Sequence, residues 1–242
     1  FNIENSEITI ILSLKLISFI GYEAQGNNIT SVGAFTISSA LENQIPNIFL
    51  FIRNLLFKNT VSKEIANASF TFLTVCIPWI PANLFVESLF FSQLAENFFE
   101  NSELAESIIP FLTELVTSLD LPPDKQGIIS QIFNLLMNIY GKITNVLPFV
   151  SAIKTCYDFY AQVVEMPDNV AQYKEALDII MRITIETDDL ENPELLETCL
   201  SFLVEICQRL AIDNSPATGN LYLPLTYPIL EILHAKIPPP YF

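Results

Sequence analysis

Residues 61–81 read VSKEIANASFTFLTVCIPWIP, and the spacing of their apolar side chains decides the fold class. Val61, Ile65, Ala68, Phe72, Cys76 and Trp79 recur three or four residues apart, the period of an α-helix. Phe70, Leu73 and Ile77 add a second apolar stripe to the same helix. A helix with two apolar faces is covered on both sides. The stretch therefore predicts a helix over about 61 to 79 that lies inside a helical assembly and ends at Ile80-Pro81.

The same period runs outward in both directions. It predicts helices over about 5–20, 33–40, 43–57, 83–99, 102–119, 124–144, 148–164, 169–185, 193–211 and 221–236. The segment 43–57 places Ile45, Ile48, Ile52 and Leu55 on one face, and a polar loop with Gly21, Gly26, Asn27 and Asn28 follows the first helix. No strand or hairpin signal interrupts this pattern. Alternate helices begin near 43, 83, 124, 169 and 221, an interval of about 40 to 50 residues holding two antiparallel helices. That is the period of HEAT-type repeats. The expected architecture is an all-α superhelical solenoid, one array over residues 1–242 of roughly five helix pairs, cut from a longer solenoid. Such a cut leaves apolar faces at both ends and predicts self-association.

Half of the chain is hydrophobic, 51%, which is enough for a sizeable core. Glycine is scarce at 6 residues, and the 15 prolines read mainly as helix punctuation. The net charge is −16. No basic residue falls between Lys63 and Lys125, and acids outnumber Lys174 and Arg182 heavily from Glu165 to Glu205. This surface repels nucleic-acid phosphates and favours basic protein partners. Residues 65–86 carry no charge. Asn67, Ser69, Thr71, Thr74, Pro78, Pro81 and Asn83, with no flanking basic cluster, argue for a buried helix, a turn and a second helix rather than a membrane span. No secretory leader is legible, and the sequons at Asn28 and Asn67 would matter only in a secreted protein. Cys76, Cys156, Cys199 and Cys207 lack C-x-x-C spacing and read as reduced, buried thiols.

The inventory for chemistry is short. The one histidine, His234, has no nucleophile motif beside it. The cysteines lack zinc spacing, and the run Glu186, Asp188, Asp189, Glu191 lacks the glycine and terminal glutamate of a calcium loop. No phosphate-cradling glycine motif occurs. No catalytic residue, cofactor or metal ligand is assigned, and a non-enzymatic role is expected. Surface recognition remains. Glu194, Glu197, Ser201, Glu205 and Gln208 share one face of the helix over 193–211, and Asp188, Asp189 and Glu191 precede it. Together they form an acidic patch for a partner protein, with an ordinary solvated face as the plain alternative.

Four segments carry a family resemblance. FLTVCIPWIP (72–81) with Phe85 and Glu87 after it, ITIILSLKLISFIGYE (8–23), NPELLETCLSFLVEICQRLA (192–211) and LYLPLTYPILEIL (221–233) keep the order and spacing of the exportins. These are importin-β superfamily receptors for leucine-rich nuclear export signals. The match is poor over about 140–185, and the connection near 147–152 looks shortened. The resemblance implies a segment from the N-terminal half of a divergent member, part of an arch around Ran in its GTP form. It implies shuttling between nucleus and cytoplasm past nucleoporins. The cargo groove with its reactive cysteine would lie outside these residues, as would the first repeats and the acidic switch loop. Asp188, Asp189, Glu191, Glu194, Glu197 and Glu205 would meet a basic surface of Ran. A HEAT-type scaffold or phosphatase-type regulatory subunit unrelated to transport would share the periodicity and acidity. A lipid-carrying helical protein is a third reading, suggested by 19 Phe.

Overall fold

The structure is a computed structural model that describes residues 3–25, 31–57, 61–87, 89–98, 102–118, 127–212 and 216–237. The described residues are all-helical, with no strand among them. The helices are α1 (Ile3–Gln25), α2 (Ser31–Leu56), α3 (Lys63–Cys76), α4 (Ala82–Glu87), α5 (Phe90–Phe98), α6 (Ser102–Ser118), α7 (Gly127–Tyr140), α8 (Leu147–Val164), α9 (Val170–Glu186), α10 (Pro193–Ile212) and α11 (Pro216–Lys236). A single 3-10 turn, Ile77–Trp79, ends α3. The chain divides into two compact units, Phe1–Thr144 and Asn145–Phe242.

In the first unit α3 is covered on both sides, as its two stripes require. It packs against α1, α2 and α6, and Ile65, Ala68, Phe70, Phe72, Leu73, Cys76 and Ile77 are buried. α1, α3 and α6 succeed one another in one layer, while α2, α4–α5 and α7 form the other. Phenylalanines join the layers. Phe49 of α2 meets Phe85 at 5.0 Å edge to face, Phe90 packs on Phe111, and Phe98 on Phe70. Each buried ring contributes roughly 1.5–3 kcal/mol by leaving water, and favourable ring pairs add about 0.5–1.5. In the second unit α8 packs on α10 and α9 on α11, with α9 also touching α8 and α10. Alternate helices thus stack within each unit. The uncharged stretch 65–86 is helix, turn and helix, and no helix among the described residues is long and apolar enough to cross a membrane.

Several boundaries differ from the expected ones, each for a physical reason. Gly21 is helical, not part of a loop, because α1 needs it to approach α3. A Cβ at Gly21 would sit 3.1 Å from Val75 Cγ1 and 3.3 Å from Trp79 Cζ3. Gln25 then reaches across, donating from Nε2 to the Val75 carbonyl at 2.7 Å. Gly26, Asn27 and Asn28 lie outside the described residues. The segments 33–40 and 43–57 are one helix that runs through Pro46. Its buried stripe is Leu41, Ile45, Phe49, Ile52 and Leu56, with Ile48 and Leu55 half-buried. Pro110, Pro224 and Pro228 also lie inside helices, so proline is a weaker punctuation mark here than composition suggests. The segment 83–99 breaks into α4 and α5 around Leu89, whose φ of 54 is left-handed. α8 carries a kink at Tyr160 that no sequence signal marks.

Both terminal helices carry unpartnered apolar faces. On α1 these are Ile8, Leu12, Leu16 and Phe19, each more than half exposed. On α11 they are Leu223, Tyr227 and Leu230. Such stripes draw a second apolar surface onto themselves. Sedimentation velocity is expected to show concentration-dependent association of this chain, reduced by Leu12→Glu with Leu16→Glu. A clean monomer at every concentration would count against it. At Gly21, valine is expected to destabilise the first unit by about 1–3 kcal/mol through overpacking. The readout is urea unfolding followed by the emission of Trp79, the only tryptophan. An unchanged midpoint would refute the close approach.

Candidate partner-binding face

The predicted acidic residues come together on α10 and the loop before it. Leu196, Cys199, Phe202, Leu203 and Ile206 turn one face of α10 into the core. The opposite face bears Glu194, Glu197, Ser201 and Gln208, all exposed. Pro193 opens the helix, and Glu194 in the first turn complements the positive end of its dipole. The loop is shaped by its own acid: Asp188 Oδ1 accepts the Leu190 N–H at 2.8 Å, and its carbonyl accepts the Asn192 N–H at 3.0 Å. Lys236 of α11 donates to the Thr187 carbonyl at 2.8 Å, tying the end of α9 down just before it.

Between these acids runs a groove of about 530 Å³. Its floor is Leu196, Leu200 and Val204, four residues apart, and Asp189, Glu197, Ser201, Glu205 and Gln208 edge it. Sequence reading found the rim and missed the floor. The signal was available, since positions 196, 200 and 204 share a helical face beside the acidic stripe.

Glu205 differs from its neighbours in the stripe. Lys154 of α8 lies 2.7 Å from it and 2.8 Å from Asp158. Burial works against the charge on Lys154, and the hydrogen bonds to the two carboxylates outweigh it, so its pKa lies above the ordinary lysine value. Glu205 therefore shares the Lys154 cation with Asp158. Asp189, Glu191, Glu194 and Glu197 have no cation against them among the described residues.

A second polar cluster anchors the far end of α10. Arg209 lies 3.4 Å from Glu165, which accepts the Tyr222 hydroxyl at 2.5 Å. Tyr173 lies 3.1 Å from the Tyr222 oxygen and stacks on Tyr157. With the Tyr222 proton given to Glu165, Tyr173 donates to Tyr222. Burial pushes the Tyr157 hydroxyl up to about 12 and the other two well above the ordinary tyrosine value. The hydrogen bonds of the cluster join residues 44 to 57 positions apart, a separation over which sequence periodicity is silent.

Cys76, Cys156 and Cys199 are buried, Cys207 is half-buried, and all four are free. Burial raises Cys76 and Cys156 to about 12 and Cys199 to about 11. His234 is exposed, and no cluster of three metal-ligating side chains occurs among the described residues. Because the folded thiols stay neutral above the unfolded value of 9.0, they stabilise the fold at lower pH. That contribution is lost as pH rises from about 9 through the folded values. The urea midpoint is expected to fall steadily above pH 9. A thiol reagent at pH 8 is expected to label Cys207 first and the other three only on the timescale of unfolding. Rapid labelling of all four in the native chain would contradict the burial.

No protein-family model, no curated protein and no solved structure matches the chain.

Proposed function

We propose that this chain is an arc of a HEAT-type solenoid that binds partner proteins through α10, within a nuclear transport receptor of the exportin kind. The observation that carries the binding role is the apolar groove edged by Asp189 and Glu197, acids with no internal cation among the described residues. The alternate stacking of helices in each unit supports the repeat architecture, since a pair that cannot hide its apolar face alone is stabilised by the next pair. The four quoted segments support the transport reading.

In this reading Ran in its GTP form presents the basic surface. Cargo with leucine-rich export signals docks outside these residues, nucleoporins are met in transit, and the receptor shuttles between nucleus and cytoplasm. Binding and release follow from shape and charge, with no covalent step. Each exposed pair contributes under about 1 kcal/mol, so the acids govern encounter more than lifetime. Asp189→Lys with Glu194→Lys and Glu197→Lys is expected to slow Ran-GTP association several-fold at low salt, measured by stopped flow, with little change in dissociation. An unchanged association rate would remove the acidic face from the proposal. Partner capture without Ran-GTP would favour a HEAT scaffold unrelated to transport.

A further inference from the structure

We infer that the α10 groove takes a basic amphipathic helix from its partner, a claim that rests on reading this groove as the partner-binding face. The floor and the rim call for different chemistry. Leu200 and Val204, half-buried, and the edge of the buried Leu196 repeat every four residues along some two turns of α10. An apolar stripe of that period is matched by another helix, whose side chains at i, i+4 and i+7 fall on one line. An extended strand alternates its side chains every second residue and would turn half of them away.

The rim selects the charge. Asp189 and Glu197 stand at the groove edge, with Glu191 and Glu194 beside them, and all four are exposed. The structure itself holds one cation at this edge. Lys154 lies on Glu205, and that pair marks how a lysine or arginine engages the stripe. The remaining acids have no counterpart on this chain among the described residues, which places their cations on the partner. An acidic or neutral helix would fit the floor but leave the rim charges facing one another.

The groove is open along α10, and its volume of about 530 Å³ accommodates a few large side chains rather than a whole helix. The partner helix therefore lies on the groove and sends one apolar edge into it. Its basic side chains flank that edge and reach Asp189 and Glu197.

The test is direct binding of a labelled 18-residue peptide to the intact chain by fluorescence anisotropy, an order-of-magnitude length matching about five helical turns. The peptide carries leucines at i, i+4, i+7 and i+11 and lysines on the flanks. One control scatters the leucines at equal charge, and another replaces the lysines by glutamates. The amphipathic basic peptide is expected to bind at least about tenfold more tightly than either control. Leu200→Ser and Val204→Ser, at half-buried positions, are each expected to weaken it about tenfold. Glu197→Lys, on the exposed face, is expected to weaken binding about threefold without touching the packing, and circular dichroism checks that each variant is folded. Leu12→Ser on α1 and Leu223→Ser on α11 are expected to leave binding unchanged. Equal binding of the scattered peptide would overturn the helical occupant, since charge alone would then suffice. Loss of binding on Leu12→Ser or Leu223→Ser, with the groove variants unaffected, would move the contact to an end face and overturn the site. Charge-dependent binding of Ran-GTP without any peptide binding would sink this inference alone. Peptide binding without Ran-GTP binding would sink the transport reading alone.

Discussion

The burial of α3 on both faces is the constraint on which the first unit depends. An ordinary surface helix gives one stripe to a core and the other to water. α3 has no such freedom, because Phe70 and Leu73, with Ile77 just after its end, lie roughly a third of a turn round its axis from Ile65, Phe72 and Cys76, and all are buried. Leaving either stripe in water would forfeit several side chains at roughly 1.5–3 kcal/mol each. α1 and α6 must therefore flank α3, and α2 must close over its end. Gly21 is the local consequence. The helix axes come close enough that a side chain at Gly21 would press on Val75 and Trp79. Asn67 fits the same account: it faces α6, and its side-chain Oδ1 accepts the Ser107 hydroxyl at 2.6 Å, so the polar group at this packed surface is satisfied.

Helix existence was legible because period and length are local properties. Breaks were not, because tertiary contacts override the local signals. Pro46 removes one backbone donor, yet Leu41, Ile45, Phe49, Ile52 and Leu56 bury a continuous stripe across it, and that gain exceeds a single lost bond. Leu89 shows the reverse. Nothing in its type calls for a left-handed residue, but Phe85, Phe90 and Phe91 all reach the same aromatic cluster. A straight helix over 82–98 would spread those three rings around its circumference. The turn at Leu89 brings them together, and the cost of about 1–2 kcal/mol in backbone strain is smaller than that of exposing one ring.

The candidate site was legible to the same extent and for the same reason. Acids three or four apart on α10 are a local pattern, and the structure keeps them on one solvent face. The polar links in the C-terminal half of α10 are not local. Lys154 comes from another helix, and Glu165 meets Tyr222 across 57 positions. Only packing decides these pairings. They also divide the acids by role. Asp188 is occupied by the turn it shapes, Glu165 by Tyr222 and Arg209, and Glu205 by Lys154. The acids left over are those at the start of α10, so the negative potential is concentrated at one end of the groove.

That asymmetry gives the groove a direction. In the proposed partner-binding role, a cationic partner is drawn first to Asp189, Glu191, Glu194 and Glu197, where field lines from a chain of net charge −16 are not cancelled by Lys154. Such attraction acts over about 8–10 Å at moderate ionic strength and weakens with salt. The apolar floor acts only at contact, through area removed from water, and salt scarcely touches it. In that proposed role rim and floor control different rates: the rim sets how often a partner arrives, and the floor sets how long it stays. Toward Val204 and Glu205 the field falls off, because Lys154 already offsets the carboxylate there. An apolar side chain at that end meets less uncompensated charge, since one lysine faces Asp158 and Glu205 together, so in the proposed role a bound segment places its cations toward Asp189 and its anchor toward Val204.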